Sequence, residues 1–189
     1  MTEQISIIAE IAQGYEGKSE LARLLLNAAA AGGANAAKYQ LVYADELATP
    51  DYQYYDLFKS LEMADDIWEG LASYAQELKI ELHLDIFGLR SLALAEKLNV
   101  GAVKLHGTDI ANVGLLKAVA VSQVNAVLLG AGGAFAGEIE QALKILKDKS
   151  VVVLLGFQGY PTPDETNQIS RVSLFKQKYG ELHPNIKVG

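Results

Sequence analysis

Short apolar segments alternate with longer segments of helical period along the chain. Residues 5–12 (ISIIAEIA) are almost continuously apolar, which is typical of a strand buried on both faces. Residues 18–31 follow with leucines and alanines on one helical face, and a Gly-Gly pair ends this predicted helix. The same pattern predicts further strands at 36–42, 80–87, 102–106, 125–129, 151–157 and 185–188, and helices at 65–78, 89–98, 112–121, 137–146 and 165–179.

Polar side chains are concentrated late in these strands or directly after them, at Glu10, Lys38, Gln40, Asp85, Lys104 and Gln158. In a barrel of parallel strands, such carboxyl ends meet at one active-site mouth. No GxGxxG motif follows the first strand, which weakens the alternative of a doubly wound dinucleotide-binding sheet. The sequence therefore predicts the α/β class, with a parallel (β/α) TIM-type barrel of about six units plus the start of a seventh strand.

The predicted barrel is shorter than a complete one. A closed TIM-type barrel has eight units and about 250 residues. This chain has 189 residues and no linker or composition change that marks a domain boundary. We therefore expect one domain over residues 1–189. Three explanations fit the short barrel: the chain is a fragment, the remaining strands come from elsewhere, or the sheet is open. We expect a fragment whose barrel is incomplete.

Composition narrows the classes of partner. A formal net charge of −7 argues against a nucleic-acid surface, which needs a basic stripe. The absence of cysteine excludes disulfides and thiolate metal sites. No apolar run is long enough for a membrane span, and the N-terminus lacks the basic start of a signal peptide. We expect a cytoplasmic protein with small-molecule substrates and no membrane or nucleic-acid partner, with a homodimer as one possible assembly.

Lys38 and Lys104 lie within apolar strands, where a buried charge is costly without a partner. One interpretation is that each pairs with a nearby carboxylate, Glu10 or Asp109. The other is that two lysines at equivalent strand positions form an anion site. Glu10 has the same two interpretations, because it could orient a substrate hydroxyl or move a proton, or could be part of a structural ion pair. The residues alone leave these alternatives open.

Two loops at strand ends complete the candidate site. The glycine-rich segment at 130–133 lets a ligand approach backbone amides near Gly130 and Gly132, although an ordinary tight turn explains it better on its own. The segment at 156–163 contains two prolines that predict a rigid loop. Its candidate site residues are Gln158, Tyr160 and Thr162.

Five segments in register resemble the N-acetylneuraminate (sialic acid) synthase family. Residues 9–17 resemble its AEIGxNHxG pattern, and 30–40 resemble AxxAGADAVKFQ. Residues 54–68 are similar to YYxLxxxLE…W, 104–112 to KIxSxDxxN, and 160–163 match YPTP. The similarity runs from the first strand to the sixth helix.

The resemblance implies a (β/α)8 barrel that joins phosphoenolpyruvate to N-acetylmannosamine or a related amino sugar, with Mn²⁺ or Mg²⁺ as cofactor. By this resemblance, Lys38 and Lys104 hold the phosphate or carboxylate of phosphoenolpyruvate. Glu10 and Asp109 bind the sugar or polarise the reacting groups. The other substrate-binding residues that we predict are Gln40, Thr108, Asn112, Gly130, Gly132, Gln158, Tyr160 and Thr162.

Several positions depart from the family pattern. Leu155 stands where a metal-binding histidine of the family falls, and the second metal histidine falls beyond Gly189. Gly107 replaces the serine of KIxS, although Thr108 is adjacent. Two alternatives follow: a divergent, non-catalytic or metal-independent barrel that binds an anionic sugar or phosphate, or an aldolase that uses a strand lysine as a Schiff base.

Overall fold

The computed structural model describes residues 5–157, 159, 161–180 and 186–189. Seven strands alternate with helices along this part of the chain, in the predicted order. The strands are β1 (Ile8–Ala12), β2 (Ala36–Gln40), β3 (Glu81–Asp85), β4 (Ala102–Leu105), β5 (Ala126–Gly130), β6 (Ser150–Leu154) and β7 (Ile186–Val188). The helices are α1 (Ser19–Ala31), α2 (Ala44–Leu47), α3 (Tyr55–Leu61), α4 (Asp65–Leu78), α5 (Leu89–Lys97), α6 (Val113–Val121), α7 (Ala136–Ile145) and α8 (Arg171–Gly180).

The chain forms two compact units, Met1–Gly101 and Ala102–Gly189. In the first, β2 pairs in parallel with β1 on one side and with β3 on the other. In the second, β4, β5, β6 and β7 pair in parallel in chain order. The predicted alternation of parallel strands and helices is confirmed. It could be predicted because buried strands and amphipathic helices have distinct periods in the sequence.

The two faces of β2 have different roles in the first unit. Tyr39 is fully buried on the helix side, and its hydroxyl donates a 2.8 Å hydrogen bond to the Ala22 carbonyl of α1. Its ring lies 5.9 Å from that of Trp68 in α4, and the Tyr15 ring lies 5.5 Å from Trp68. This aromatic packing holds α1 and α4 against the sheet and leaves Lys38 on the opposite face.

The segment between β2 and α4 contains two short helices, α2 and α3, which are not among the helices that the sequence pattern predicts. Glu46 of α2 reaches the start of α5, where its Oε1 accepts hydrogen bonds from the backbone N–H groups of Arg90 at 2.6 Å and Ser91 at 3.4 Å. A distant carboxylate thus satisfies N–H groups that the first turn of a helix leaves free.

The end of the predicted sixth helix is correct and its start is not. A short 3₁₀ turn covers Asp164–Thr166, and α8 begins only at Arg171. Pro163 precedes this turn, with an extended backbone at φ −63° and ψ 136°. None of the helices in the described residues is long and apolar enough to cross a bilayer.

Candidate functional site

A charged cluster lies on β1, β2 and β3 of the first unit. Lys38 Nζ lies 2.7 Å from Asp85 Oδ1 and 2.5 Å from Glu10 Oε2. The Lys38 side chain is 5% exposed, that of Asp85 is 0% exposed, and that of Glu10 is 50% exposed. We call Glu10, Lys38 and Asp85 the Lys38 cluster.

Strand register explains why these three side chains meet. Glu10 is the register partner of Lys38 on β2, and Gln40, two residues further along β2, is the partner of Asp85. Residues at alternate positions of a strand share one face, so Lys38 and Gln40 point to the same side of the sheet as their partners. The Lys38 side chain extends along the strand to the level of Asp85, where a buried cation and a buried anion compensate each other.

The surroundings of the Lys38 cluster are also polar. Gln40 is half-buried at the end of β2, and its backbone carbonyl accepts a 3.0 Å hydrogen bond from the Tyr15 hydroxyl. His83, the register partner of Lys38 on β3, is buried, and its Nε2 lies 2.9 Å from Glu81 Oε2. The structural ion pair that we considered for Lys38 and Glu10 is therefore present. The predicted roles of Lys38, Glu10 and Gln40 in substrate binding stay predictions.

The second unit carries the other predicted charged residues. Lys104 is half-buried as the third residue of β4, with Leu128 of β5 as its register partner. Asp109 is half-buried in the turn after β4, and burial raises the pKa of its carboxyl group. The Thr108 hydroxyl, the charge of His106 and the Asn112 side chain act in the opposite direction on this pKa. Asp109 therefore keeps its proton to a higher pH than an exposed aspartate does.

Asn112 has a structural contact that the sequence analysis did not assign. It is the N-cap of α6, and its Oδ1 accepts a 3.1 Å hydrogen bond from the Leu115 backbone N–H. Asparagine is a preferred residue at this position because its side-chain oxygen satisfies a free N–H group of the first helical turn. The structure accounts for Asn112 through this cap, and substrate binding by it stays a prediction.

A cavity of about 450 Å³ lies in the second unit, beside the ends of β4 and β5. It brings together two predicted substrate-binding residues, Thr108 and Gly132. The remaining lining residues are Gly107, Ile110, Ala111, Gly133, Ala134, Phe135 and Glu138. The lining is mostly apolar, and its polar side-chain groups are the Thr108 hydroxyl and the Glu138 carboxylate.

Gly130 has a packing role that explains its lack of a side chain. A Cβ atom there would lie 2.9 Å from the Gly107 backbone nitrogen and 3.0 Å from the Leu105 carbonyl oxygen. The end of β5 thus packs directly against the backbone that follows β4. This favours the tight-turn explanation for Gly130, which does not line the cavity described above.

The proline-containing loop after β6 is described only in part. Gln158 and Tyr160 lie outside the described residues, so their predicted roles are not examined by the structure. Thr162 is half-buried, and its hydroxyl donates a 2.7 Å hydrogen bond to the Gly159 carbonyl. This contact stabilises the loop itself, and substrate binding by Thr162 stays a prediction.

Asp85 is the site residue that the sequence analysis did not include. The sequence pattern identifies it only as a polar residue late in a strand. Its contact with Lys38 spans 47 positions and depends on the β2–β3 register, which one sequence does not reveal. The available signal was an aspartate late in a strand whose apolar and polar residues alternate, since a charge that the strand buries needs a partner.

The family resemblance implies a metal ion, and the described residues provide no ligand set for it. Among the described residues, no group of three or more histidine, cysteine, aspartate or glutamate side chains could hold a metal ion. The two carboxylates of the Lys38 cluster already contact an ammonium group. These residues therefore do not fit the implied cation.

The fold and these residues define a parallel β/α protein with charged and polar groups within its strands and at their carboxyl ends. A family model described as the NeuB family matches residues 25–186. The chain belongs to the NeuB family.

Comparison with individual proteins supports this assignment. The chain is 30% identical over 186 residues to an uncharacterized protein of Methanocaldococcus jannaschii, covering 97% of this chain and 53% of that protein. It is 27% identical over 188 residues to the N,N'-diacetyllegionaminic acid synthase of Campylobacter jejuni, covering 89% of this chain and 56% of that enzyme. The chain thus spans about half the length of the curated relatives it matches.

A solved structure shows the same fold. The N-acetylneuraminic acid (sialic acid) synthetase of Leptospira borgpetersenii, crystallised in complex with citrate, superposes with a TM-score of 0.91 at 28% identity. The match covers 99% of this chain and 64% of that one. It confirms the predicted fold class, a parallel β/α barrel of the type found in this family.

Proposed function

We propose that the chain is a sialic acid synthase-like enzyme that condenses phosphoenolpyruvate with an N-acetylmannosamine-type sugar, in the biosynthesis of nonulosonates or cell-surface sugars. The observation that carries the proposal is the NeuB family match over residues 25–186. The synthases of Campylobacter jejuni and Leptospira borgpetersenii among its relatives support it. In this reaction the methylene carbon of phosphoenolpyruvate bonds to the sugar aldehyde carbon, whose oxygen takes a proton and becomes a hydroxyl group. Water adds at the carbon that bears the phosphate, and inorganic phosphate leaves from that carbon.

Lys104 has the anion-binding role in this proposal. It stands in the family-like segment 104–112, and Thr108 of the same segment lines the 450 Å³ cavity with Gly132. An ammonium group attracts phosphate or carboxylate, while a hydroxyl group and backbone amides fix its orientation. Thr108 and Gly132 therefore extend the proposed binding surface from the end of β4 to the loop after β5.

Asp109 has the proton-donating role. Its carboxyl group has a pKa raised by burial, so a larger fraction of it stays protonated than of an exposed aspartate at the same pH. A protonated carboxyl group can donate a hydrogen bond or a proton to an oxygen that gains negative charge during C–C bond formation. Glu10, whose carboxylate is half exposed, accepts hydrogen bonds from sugar hydroxyls.

Mn²⁺ or Mg²⁺ enters the proposal only through the family resemblance. The roles given to Lys104, Asp109 and Glu10 do not use a metal ion. The assay below is therefore run with added Mn²⁺, with added Mg²⁺ and with a chelator.

The test is release of inorganic phosphate from phosphoenolpyruvate that depends on N-acetylmannosamine. The wild-type chain is expected to release phosphate only when both substrates are present. Lys104→Met should reduce the rate at least about 100-fold, and Lys117→Met, at an exposed position of α6, serves as the matched control. Saturable binding of phosphoenolpyruvate with no sugar-dependent release would contradict the enzyme and support the non-catalytic anion-binding alternative.

A further inference from the structure

The ammonium group of Lys38 is already engaged by protein carboxylates. It contacts Asp85 at 2.7 Å and Glu10 at 2.5 Å, and the lysine side chain is 5% exposed. An ammonium group has three N–H donors, and these two contacts use two of them. A lysine that captures a substrate anion needs an open approach to its charge, which these contacts restrict.

Asp85 is placed as a permanent counter-anion of Lys38. Its side chain is fully buried at the last position of β3, so its carboxylate cannot move into solvent to make room for a ligand. A carboxylate is the same chemical group as the acid of phosphoenolpyruvate. A second anion brought to Lys38 would meet the Asp85 charge at close range, and like charges placed together are strongly disfavoured.

Glu10 presents a different surface to a ligand. Its side chain is half exposed, while one of its oxygens is held by Lys38. A fixed, partly exposed carboxylate accepts hydrogen bonds from hydroxyl or amide N–H groups, and it repels anions. The accessible part of the Lys38 cluster therefore matches an uncharged, hydroxyl-rich molecule.

We propose that Asp85 is a specificity-determining residue: it occupies the anion position on Lys38, so that the Lys38 cluster accepts the uncharged sugar and excludes the phosphate or carboxylate of the other substrate. The inference rests on the proposed function for the identity of the two substrates. It reassigns Lys38 from capturing phosphoenolpyruvate to holding Glu10 in place. Its anion-exclusion part can be tested without catalysis.

The experiment is a titration of the 20.3 kDa chain with inorganic phosphate, followed by backbone amide NMR. In the wild type, the amide signals of Lys38, Tyr39 and Gln40 should not shift saturably. In Asp85→Asn, which keeps the shape and one oxygen acceptor, they should shift saturably, with phosphate affinity at least about tenfold above the wild type.

Two variants locate the effect. Asp56→Asn, in α3, removes the same charge at an exposed position and should behave as the wild type does. The gain in Asp85→Asn should disappear when Lys38→Met is added. If Asp85→Asn gains no affinity, or keeps the gain without Lys38, the proposal is overturned.

Two measurements keep the test decisive if Asp85→Asn does not fold. In the wild type, saturable phosphate shifts at Lys38 and Tyr39 would overturn the proposal directly. Glu10→Gln, at a half-exposed side chain, should still exclude phosphate because Asp85 remains. A gain of phosphate affinity in Glu10→Gln would show that Glu10, and not Asp85, excludes the anion, and it would overturn the proposal. These titrations do not depend on the condensation reaction. If the chain does not catalyse that reaction, they still test the exclusion of anions, so the two proposals fail separately.

Discussion

Lys38 Nζ and Asp85 Oδ1 lie 2.7 Å apart, and both side chains are almost completely buried. The pair joins the middle of β2 to the last residue of β3. Because water cannot replace either partner, this contact differs in kind from the exposed ion pairs of the same unit.

Removal of the buried cation should therefore be costly. Lys38→Met should lower the free energy of unfolding by about 3–5 kcal/mol, because it leaves the Asp85 carboxylate buried and uncompensated. Lys59→Met removes a partly exposed partner of Glu62 and should cost about 0–1 kcal/mol. Urea denaturation of both variants measures the difference, and equal losses would contradict the buried pair.

The contact between Glu46 and the start of α5 should behave as a helix cap. Glu46→Ala should lower the free energy of unfolding by about 0.5–2 kcal/mol. It should also speed hydrogen exchange at the backbone amides of Arg90 and Ser91, because both donate hydrogen bonds to the Glu46 carboxylate in the wild type. Glu77→Ala, at an exposed position of α4, is the control, and unchanged exchange at both amides in Glu46→Ala would disprove the cap.

Alanine substitutions at Gly17 and Gly33 distinguish the cost of backbone strain from the cost of steric overlap. Both have positive φ angles, +68° and +80°, but a Cβ at Gly17 would lie 2.2 Å from the Ser60 carbonyl oxygen, whereas nothing lies within 4 Å at Gly33. Gly33→Ala should cost about 1–2 kcal/mol for the left-handed backbone alone. Gly17→Ala should cost about 2–5 kcal/mol, since the overlap adds to it. If denaturation gives similar losses of unfolding free energy for the two variants, the backbone at Ser60 moves away from the added Cβ atom without cost, and the predicted overlap is contradicted.

Asp109 predicts a pH dependence of stability. Its pKa is raised in the folded state by burial, so its protonated form favours folding. That contribution is fully present below the pKa of the unfolded chain and is lost as pH rises through the raised folded value. Asp109→Asn should therefore be more stable than the wild type at neutral pH and similar to it near about pH 3. Thermal unfolding of both proteins at the two pH values checks this. An Asp109→Asn variant that is less stable than the wild type at neutral pH would contradict the prediction.

Local pattern predicted much of the fold, and long-range pairing determined much of the site. The alternation of apolar strands and amphipathic helices was sufficient to place β1 to β7 in order. It also placed Lys38 and Glu10 late in neighbouring strands, where a structural ion pair was one of two alternatives. Strand register decided which partners they have, and register is not encoded in the local period.

Other features depend on contacts between distant segments. Glu46 caps a helix that begins more than forty positions later, and no local signal marks that contact. Gly130 packs against the backbone of Gly107, which is distant in sequence, and its predicted role in substrate binding stays a prediction. The family resemblance supplied the substrates and the metal ion, neither of which follows from the period of the chain.

The proposed reaction of this chain is the formation of a carbon–carbon bond between phosphoenolpyruvate and an amino sugar. The most direct measurement is ¹³C NMR of the chain incubated with phosphoenolpyruvate labelled at its methylene carbon, N-acetylmannosamine and Mn²⁺ or Mg²⁺. We expect the vinyl signal to be replaced by the signal of a saturated CH₂ group bonded to the sugar, in step with phosphate release. Persistence of the vinyl signal, or conversion to labelled pyruvate alone, would contradict it.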